Sequence, residues 1–229
     1  MTIHNIEGLK QMIIRDQKLD KKQIMEAFCW MVLGDGSIEK AERGNYRLAI
    51  SHKLDSEDYL YWKASIIEQV TSWSINLRKQ GSTGFNPGEK YLRLRSSAHP
   101  WFTKVYERFY APLGRKSIDP HALKLLSPLG LAILYQDDGS YHYSISAGHN
   151  ILIHKLCFSK FELEALAKTI VDKFGIIFRI NRDKNKGLGY RLRMRASDRE
   201  RFFELIDPYI VPSMLYKVGK GGTSNEVVI

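Results

Sequence analysis

Leu131-Ala132-Ile133-Leu134-Tyr135-Gln136-Asp137-Asp138-Gly139 and its counterpart Phe28-Cys29-Trp30-Met31-Val32-Leu33-Gly34-Asp35-Gly36 decide how this chain is read. Each closes a largely apolar helical segment with an aspartate followed by glycine. Asp-Gly is an ordinary turn dipeptide, and a single copy would signify a helix end and nothing more. Asp35 and Asp138, however, lie 103 residues apart at matched places in two similar successions of elements, which makes them a pair. A carboxylate at a helix C-terminus is electrostatically unfavourable, because the dipole and unpaired carbonyls already concentrate negative charge there. The pair therefore calls for a cation. In a protein that binds phosphates the natural candidate is Mg²⁺, which takes oxygens from one or two carboxylates, water and phosphate. Two apolar helices packed together at the centre would bring both Asp-Gly ends side by side.

Outward from these segments, the same order of elements is expected twice. A helix over Lys21 to Leu33 precedes the first Asp-Gly. A strand from Tyr46 to His52, a helix from Ser56 to Trp73, strands at Ile75 to Lys79 and Tyr91 to Ser96, and a helix from Pro100 to Tyr110 follow. The second half predicts a helix from Ser127 to Asp137, then strands at Tyr141 to Ala147 and Ile151 to Phe158. A helix from Ser159 to Phe174 is opened by a capping box with Glu162 and closed by Gly175. Strands at Ile176 to Asn181 and Tyr190 to Ala196 and a helix from Ser197 to Ile206 complete it. The expected division is an N-terminal half over 1–112, a linker over 113–126 and a C-terminal half over 127–229.

The strands are two-sided. Leu92 and Leu94 alternate with Arg93 and Arg95; Leu192 and Met194 alternate with Arg191, Arg193 and Arg195. Tyr46, Leu48 and Ile50 oppose Arg47 and Ser51, and Tyr141, Tyr143 and Ile145 oppose His142, Ser144 and Ser146. Arginine on a solvated sheet face is ordinary. Runs of it in equivalent strands of both halves would repel unless an anion neutralised them, so a concave basic sheet facing a duplex is the better account. The guanidinium fork bridges phosphates or binds guanine in the major groove, where a β-ribbon fits. Candidate contacts are Arg47, Ser51, Arg78, Arg93 and Arg95 in the first half, and His142, Ser144, Arg179, Arg191, Arg193 and Arg195 in the second. His154 is a weaker candidate, since its strand is apolar on both faces. The tips GSTGFNPGEK and RDKNKGLG are plausible flank contacts.

The whole-chain properties agree. Across 229 residues, 35 Lys and Arg against 25 Asp and Glu give +10, which favours a polyanion, nucleic acid ahead of a membrane surface. No apolar run approaches the roughly 20 residues that span a bilayer, and the start MTIHNIEGLKQ lacks the apolar stretch of a secretory signal, so a soluble, intracellular protein is expected. Cys29 and Cys157 each sit in an apolar segment without ligand spacing, so both are read as small buried residues and no zinc site is expected.

The two nonapeptides resemble the paired motifs of the LAGLIDADG homing endonucleases, and the order of elements resembles the monomeric, two-motif branch over nearly the whole chain. The resemblance puts Asp35 and Asp138 on the metal-binding acids, with Gly34 and Asp137 beside them; Asp137 either shares the metal or only caps its helix. Arg115-Lys116-Ser117-Ile118 and Pro212-Ser213-Met214-Leu215-Tyr216-Lys217 resemble the family too, and place Lys116 and Lys217 on its active-site lysines. Trp30 and Ile133 stand where the motif has a small Gly, and Leu33 and Gln136 replace its earlier Asp. The implied fold is α+β: pseudo-twofold duplicated αββαββα units forming two antiparallel β-saddles, helices packed behind, motif helices at the centre. The implied activity is a Mg²⁺-dependent double-strand break, with Mn²⁺ able to substitute, in a long asymmetric DNA site, leaving short 3′ overhangs and needing no protein partner. A group I intron maturase, an RNA-binding splicing cofactor on the same scaffold, is the alternative; retention of both acids favours the nuclease.

Overall fold

The computed structural model describes residues 18–42, 44–79, 88–110, 113–146, 148–154, 157–182 and 189–220. The polar start and most of the two tips, at 81–90 and 182–189, lie outside the described residues.

The first half runs α1 (Lys21–Leu33), β1 (Ser37–Lys40), β2 (Tyr46–Lys53), α2 (Glu57–Glu68), β3 (Trp73–Lys79), β4 (Lys90–Ser96) and α3 (Pro100–Phe109). A short helix α4 (Pro120–Leu125) then precedes α5 (Pro128–Asp138), β5 (Gly139–Ser144), β6 (Gly148–His154), α6 (Lys160–Phe174), β7 (Phe178–Arg182), β8 (Tyr190–Met194) and α7 (Arg199–Ile206). The expected α+β duplication of αββαββα is present. Its strands form two four-stranded antiparallel sheets, ordered β1-β2-β4-β3 and β5-β6-β8-β7. A shift of 103 residues carries Asp35 onto Asp138 and the N-cap Ser56 onto Ser159. It also carries buried Leu60, Ala64 and Ile67 of α2 onto buried Leu163, Ala167 and Ile170 of α6.

Helices α1 and α5 are buried nearly all round, from Ala27 to Leu33 and from Leu129 to Gln136, and they pack against each other. A helix apolar on every face has no solvent side and must lie at the centre. Each starts on a polar cap: Asp20 with Gln23 forms a capping box on α1, and the Ser127 side chain accepts from the Leu129 N–H on α5, with Pro128 at the first helical position. The close approaches between them fall where side chains vanish. A Cβ at Gly34 would collide with the Asp137 carboxyl group, and one at Gly130 would collide with the Trp30 indole and the Glu26 carboxylate. Trp30 is thus accommodated by Gly130, one turn earlier than the glycine of the family motif. Glu26 uses the same gap: its carboxylate accepts from the Ser127 N–H at 2.5 Å, the Gly130 N–H at 3.0 Å and the Ser127 hydroxyl at 2.8 Å. A buried acid of α1 therefore caps α5, although burial raises its pKa above the ordinary range.

Three expectations need correction. The edge strand β1 and helix α4 were not anticipated: β1 is only four residues long, and α4 lies in the presumed linker. Cys157 is exposed, not buried, because it lies in the turn before α6. Tyr143 and Ile145 do not point into the core; they are 61% and 96% exposed, Tyr143 near the end of the edge strand β5 opposite His149 and Ile145 past Ser144, where β5 stops.

Candidate functional site

The registers put the predicted contact residues on one face of each sheet. In the first, Glu39 lies opposite Arg47, Ala49 opposite Arg95, Ser51 opposite Arg93, and Arg78 opposite Tyr91. Alternation then gathers Arg47, Ser51, Arg78, Arg93 and Arg95 on the side away from buried Leu48, Ile50 and Leu94. In the second, His142 lies opposite Asn150, Leu152 opposite Arg193, His154 opposite Arg191, and Arg179 opposite Arg193, with Ser144 in step with His142. Arg195 follows β8 and is exposed.

At the centre, α1 and α5 end beside each other. Asp35 is exposed at the turn after α1, and Asp138 is the last residue of α5, half-buried. Direct contact across the helix pair involves the neighbouring acid: the Asp35 N–H donates to Asp137 Oδ2 at 3.2 Å. The Asp137 side chain is fully buried, and its Oδ1 accepts from the Lys63 ammonium at 2.5 Å and the Tyr59 hydroxyl at 2.8 Å. The Lys63 side chain is likewise fully buried, lies over the Tyr59 ring and reaches His52 Nε2 at 3.1 Å; His52 Nδ1 lies 3.9 Å from Asp35 Oδ2. An ammonium against Nε2 leaves that nitrogen as acceptor, so the proton of neutral His52 sits on Nδ1 and faces Asp35. Burial, reinforced by Lys63, pushes the His52 pKa down to about 3. Burial and the Asp137 charge raise the Tyr59 hydroxyl well above its usual range.

Ligand atoms of Asp35, His52 and Asp137 lie within 4.8 Å of one another, a spacing that would suit a metal, and Asp138 does not join them. Lys63 already stands between two of the three, so the cation of that cluster is the protein's own ammonium.

Both predicted lysines reach the helix ends. Lys116 Nζ donates to the carbonyls of Gly34 at 3.0 Å and Gly36 at 2.9 Å; Lys217 Nζ donates to that of Gln136 at 2.5 Å and reaches that of Asp137 at 3.4 Å. Burial lowers both pKa values, partly offset by Asp35 and Asp137. Each lysine is carried on a segment docked to the opposite half. Next to Lys116, Arg115 and the Ile118 N–H bind Glu162 in α6; ahead of Lys217, the Ser213 N–H binds Asp58 in α2 at 2.9 Å. Gln136 helps to place the second segment, accepting from the Val211 N–H and donating to the Tyr209 carbonyl.

Residues 25–202 match the LAGLIDADG DNA endonuclease family. The chain belongs to that family. Among relatives of this LAGLIDADG protein, the cytochrome b mRNA maturase bI2 of Saccharomyces cerevisiae is 25% identical over 196 residues, 82% of this chain but 45% of the relative, so the chain spans about half of its length. A probable intron-encoded endonuclease 1 of Wickerhamomyces canadensis is 26% identical over 221 residues, 92% of each chain. The fold is similar to that of the homing endonuclease I-WcaI bound to its DNA recognition sequence, with a TM-score of 0.72 at 23% identity, over 93% of this chain and 91% of that one.

The sequence reading missed Lys63, His52, Tyr59 and Glu39. For Lys63 a signal existed: the 103-residue shift places it on Leu166, a buried core position, where a lysine is out of keeping. No helix among the described residues is long and apolar enough to cross a membrane.

Proposed function

We propose that this chain is a site-specific DNA endonuclease that makes a metal-dependent double-strand break, acting as a single polypeptide on a long asymmetric site and leaving short 3′ overhangs. The observation that carries the reading is the pair of helix ends, each with an acid at its close and a lysine on its carbonyls, half-buried Lys116 at one and buried Lys217 at the other, together with two sheets that carry arginine on the face away from the core. Asp35 and Asp138 would hold the ion, since Asp137 is already engaged by Lys63 and Tyr59. A hard carboxylate set of this kind suits Mg²⁺, with Mn²⁺ able to replace it. Bound there, the ion would activate water and neutralise charge on the phosphate and the leaving 3′ oxygen. Lys116 and Lys217 oppose the partial negative charge of two adjacent helix C-termini and would steady charge developing beside them. The arginine faces would grip successive major grooves; because the halves have diverged, the site need not be palindromic.

The test is to incubate the protein and Mg²⁺ with duplex DNA joining the two sequences that flank its own coding region. Cleavage of both strands at one position is expected. The relationship to a maturase supports a second reading, RNA binding in splicing. Absence of cleavage together with protein-dependent splicing of an intron RNA would establish that reading in place of the first.

A further inference from the structure

Glu39 joins strands that are not neighbours. It lies on the short edge strand β1, whereas Arg93 and Arg95 lie on β4, with β2 between them. Strands are spaced by roughly 4.8 Å, so the carboxylate and the guanidinium groups must meet above β2. Beneath them is Ala49, which pairs with Ser37 on one side and Arg95 on the other. Its place between Arg47 and Ser51 puts it on the outer face of the sheet, yet it is buried. The side chains that cross above it supply the cover, and a larger residue would stand in their path.

Through one carboxylate oxygen Glu39 binds the guanidinium of Arg93; the other lies 3.4 Å from Arg47 Nε and 3.2 Å from Arg95 Nε. None of the four side chains is more than 36% exposed, so on the outer face they pack against one another instead of extending into solvent. Attraction for phosphate does not call for this arrangement, because a carboxylate among the arginines repels phosphate and lowers the charge that draws a polyanion. Reading of bases does. A guanidinium fixed in direction has already lost its rotamer freedom, and the two-pronged match to guanine O6 and N7 demands that direction. Arg47 and Arg95 meet Glu39 with Nε, the guanidinium nitrogen nearest the main chain, which suits their terminal nitrogens to face outward.

We propose that Glu39 is a positioning residue for DNA specificity: it holds Arg47 and Arg95 with their terminal nitrogens toward the major groove, where they read guanine, and its charge weakens the grip on every other sequence. Glu39 acts through the arginines and touches no base. The inference rests on the reading of this sheet as a DNA-binding face of the endonuclease.

The test selects duplexes from a randomised pool by binding in Ca²⁺, with the wild type and with Glu39→Gln, which keeps the shape and removes the charge. Wild type should enrich guanine at one or two neighbouring positions. Glu39→Gln should lose that preference by about tenfold, within the range for one bidentate arginine–guanine pair, and keep the rest of the profile. Its affinity for random-sequence duplex should rise, and the slope of log affinity against log salt should steepen by about 0.9, the value for one more phosphate contact. A merely structural role, fastening β1 to the sheet, would instead weaken binding to every duplex. Ala49→Val puts bulk beneath the bridge but keeps the charge; it should lose the same preference without the steeper slope, and it serves if Glu39→Gln does not fold. The same base profile in wild type and Glu39→Gln, or weaker binding of the variant to random duplex, would overturn the positioning role and leave the nuclease standing. Enriched duplexes that the wild type with Mg²⁺ does not cut would strike down the endonuclease reading while the two profiles still decide the role of Glu39. Enrichment of no sequence by the wild type would overturn both.

Discussion

Each sheet presents arginines on the face away from its buried residues, but only the first carries an acid among them at a described edge strand. Glu39 of β1 binds the guanidinium of Arg93 and lies 3.4 Å from Arg47 Nε and 3.2 Å from Arg95 Nε. Burial would raise its pKa, yet Arg93 and Arg95 outweigh that and hold it below the ordinary carboxylate range. In the second sheet the matching position is His142, and Arg47 is matched by Asn150. Registers make Arg95 and Arg193 equivalents, since Ala49 and Leu152 face them from matched places. Arg95 is only partly exposed, whereas Arg193 is exposed. The lesson is that equal numbers of arginines need not bind a polyanion equally. In the first sheet three are held in a fixed fan by an internal carboxylate; in the second, Arg193 and Arg195 stand toward solvent.

The centre provides the largest test of whether this inequality extends to the chemistry. Asp35→Asn and Asp138→Asn should each lower double-strand cutting by about two to three orders of magnitude, the scale of removing one source of transition-state charge stabilisation. Binding measured in Ca²⁺ should persist in both. Equal losses at both acids would mean that the halves differ in grip but not in catalytic need; binding lost in parallel with cutting would make the acids structural.

Next in size is the buried pair. Lys63→Leu alone leaves Asp137 desolvated without its ammonium and should destabilise the fold by about 3–5 kcal/mol. The double substitution with Asp137→Gly should recover much of that loss in a denaturant melt. Additive losses would show that Lys63 and Asp137 are not coupled.

The sheets themselves are separated by salt. Arg193→Ala should weaken DNA binding and reduce the slope of log affinity against log salt by about 0.9, the value for one phosphate contact. Arg95→Ala should reduce that slope by less, because Glu39, one carboxylate shared among three guanidinium groups, offsets part of its charge. Titration of both variants over a salt series decides it: equal slope changes would show that Glu39 releases its arginines when DNA binds.

The fold was legible because its signals are periodic. Apolar helices ending in Asp-Gly and arginines alternating with leucines recur at a fixed offset, so α1, α5 and the faces of both sheets could be drawn from sequence. The strand end at Ser144 was not, because the apolar Ile145 continues past the last ladder bond and mimics a longer strand. In the site, both acids came from the duplicated Asp-Gly helix ends and both lysines from motif resemblance. Lys63, His52 and Glu39 did not, for a physical reason: each takes its importance from a partner in another element. Lys63 reads as a solvated helix charge until Asp137 is placed against it, and Glu39 as a surface acid until β4 brings Arg93 and Arg95 beside β1.

The smallest effect concerns the segments that carry the two lysines. The first is docked through Glu162, which accepts from Arg115, the Ile118 N–H and the Ser159 cap; the second through Asp58, which accepts from the Ser213 N–H. Burial would raise Glu162, but these hydrogen bonds outweigh it and hold the pKa at about 2, below the unperturbed 4.5. Because the folded-state value is the lower one, the docking contribution is complete above pH 4.5 and disappears as pH falls toward 2. Arg115 is 44% exposed, so solvent screening limits the contribution to about 1 kcal/mol. Glu162→Gln should therefore lower the melting temperature at pH 7 by a small amount and converge on wild type near pH 2. A constant gap between the two proteins across that range would mean that Glu162 acts through helix capping alone, and that Lys116 is placed without help from the opposite half.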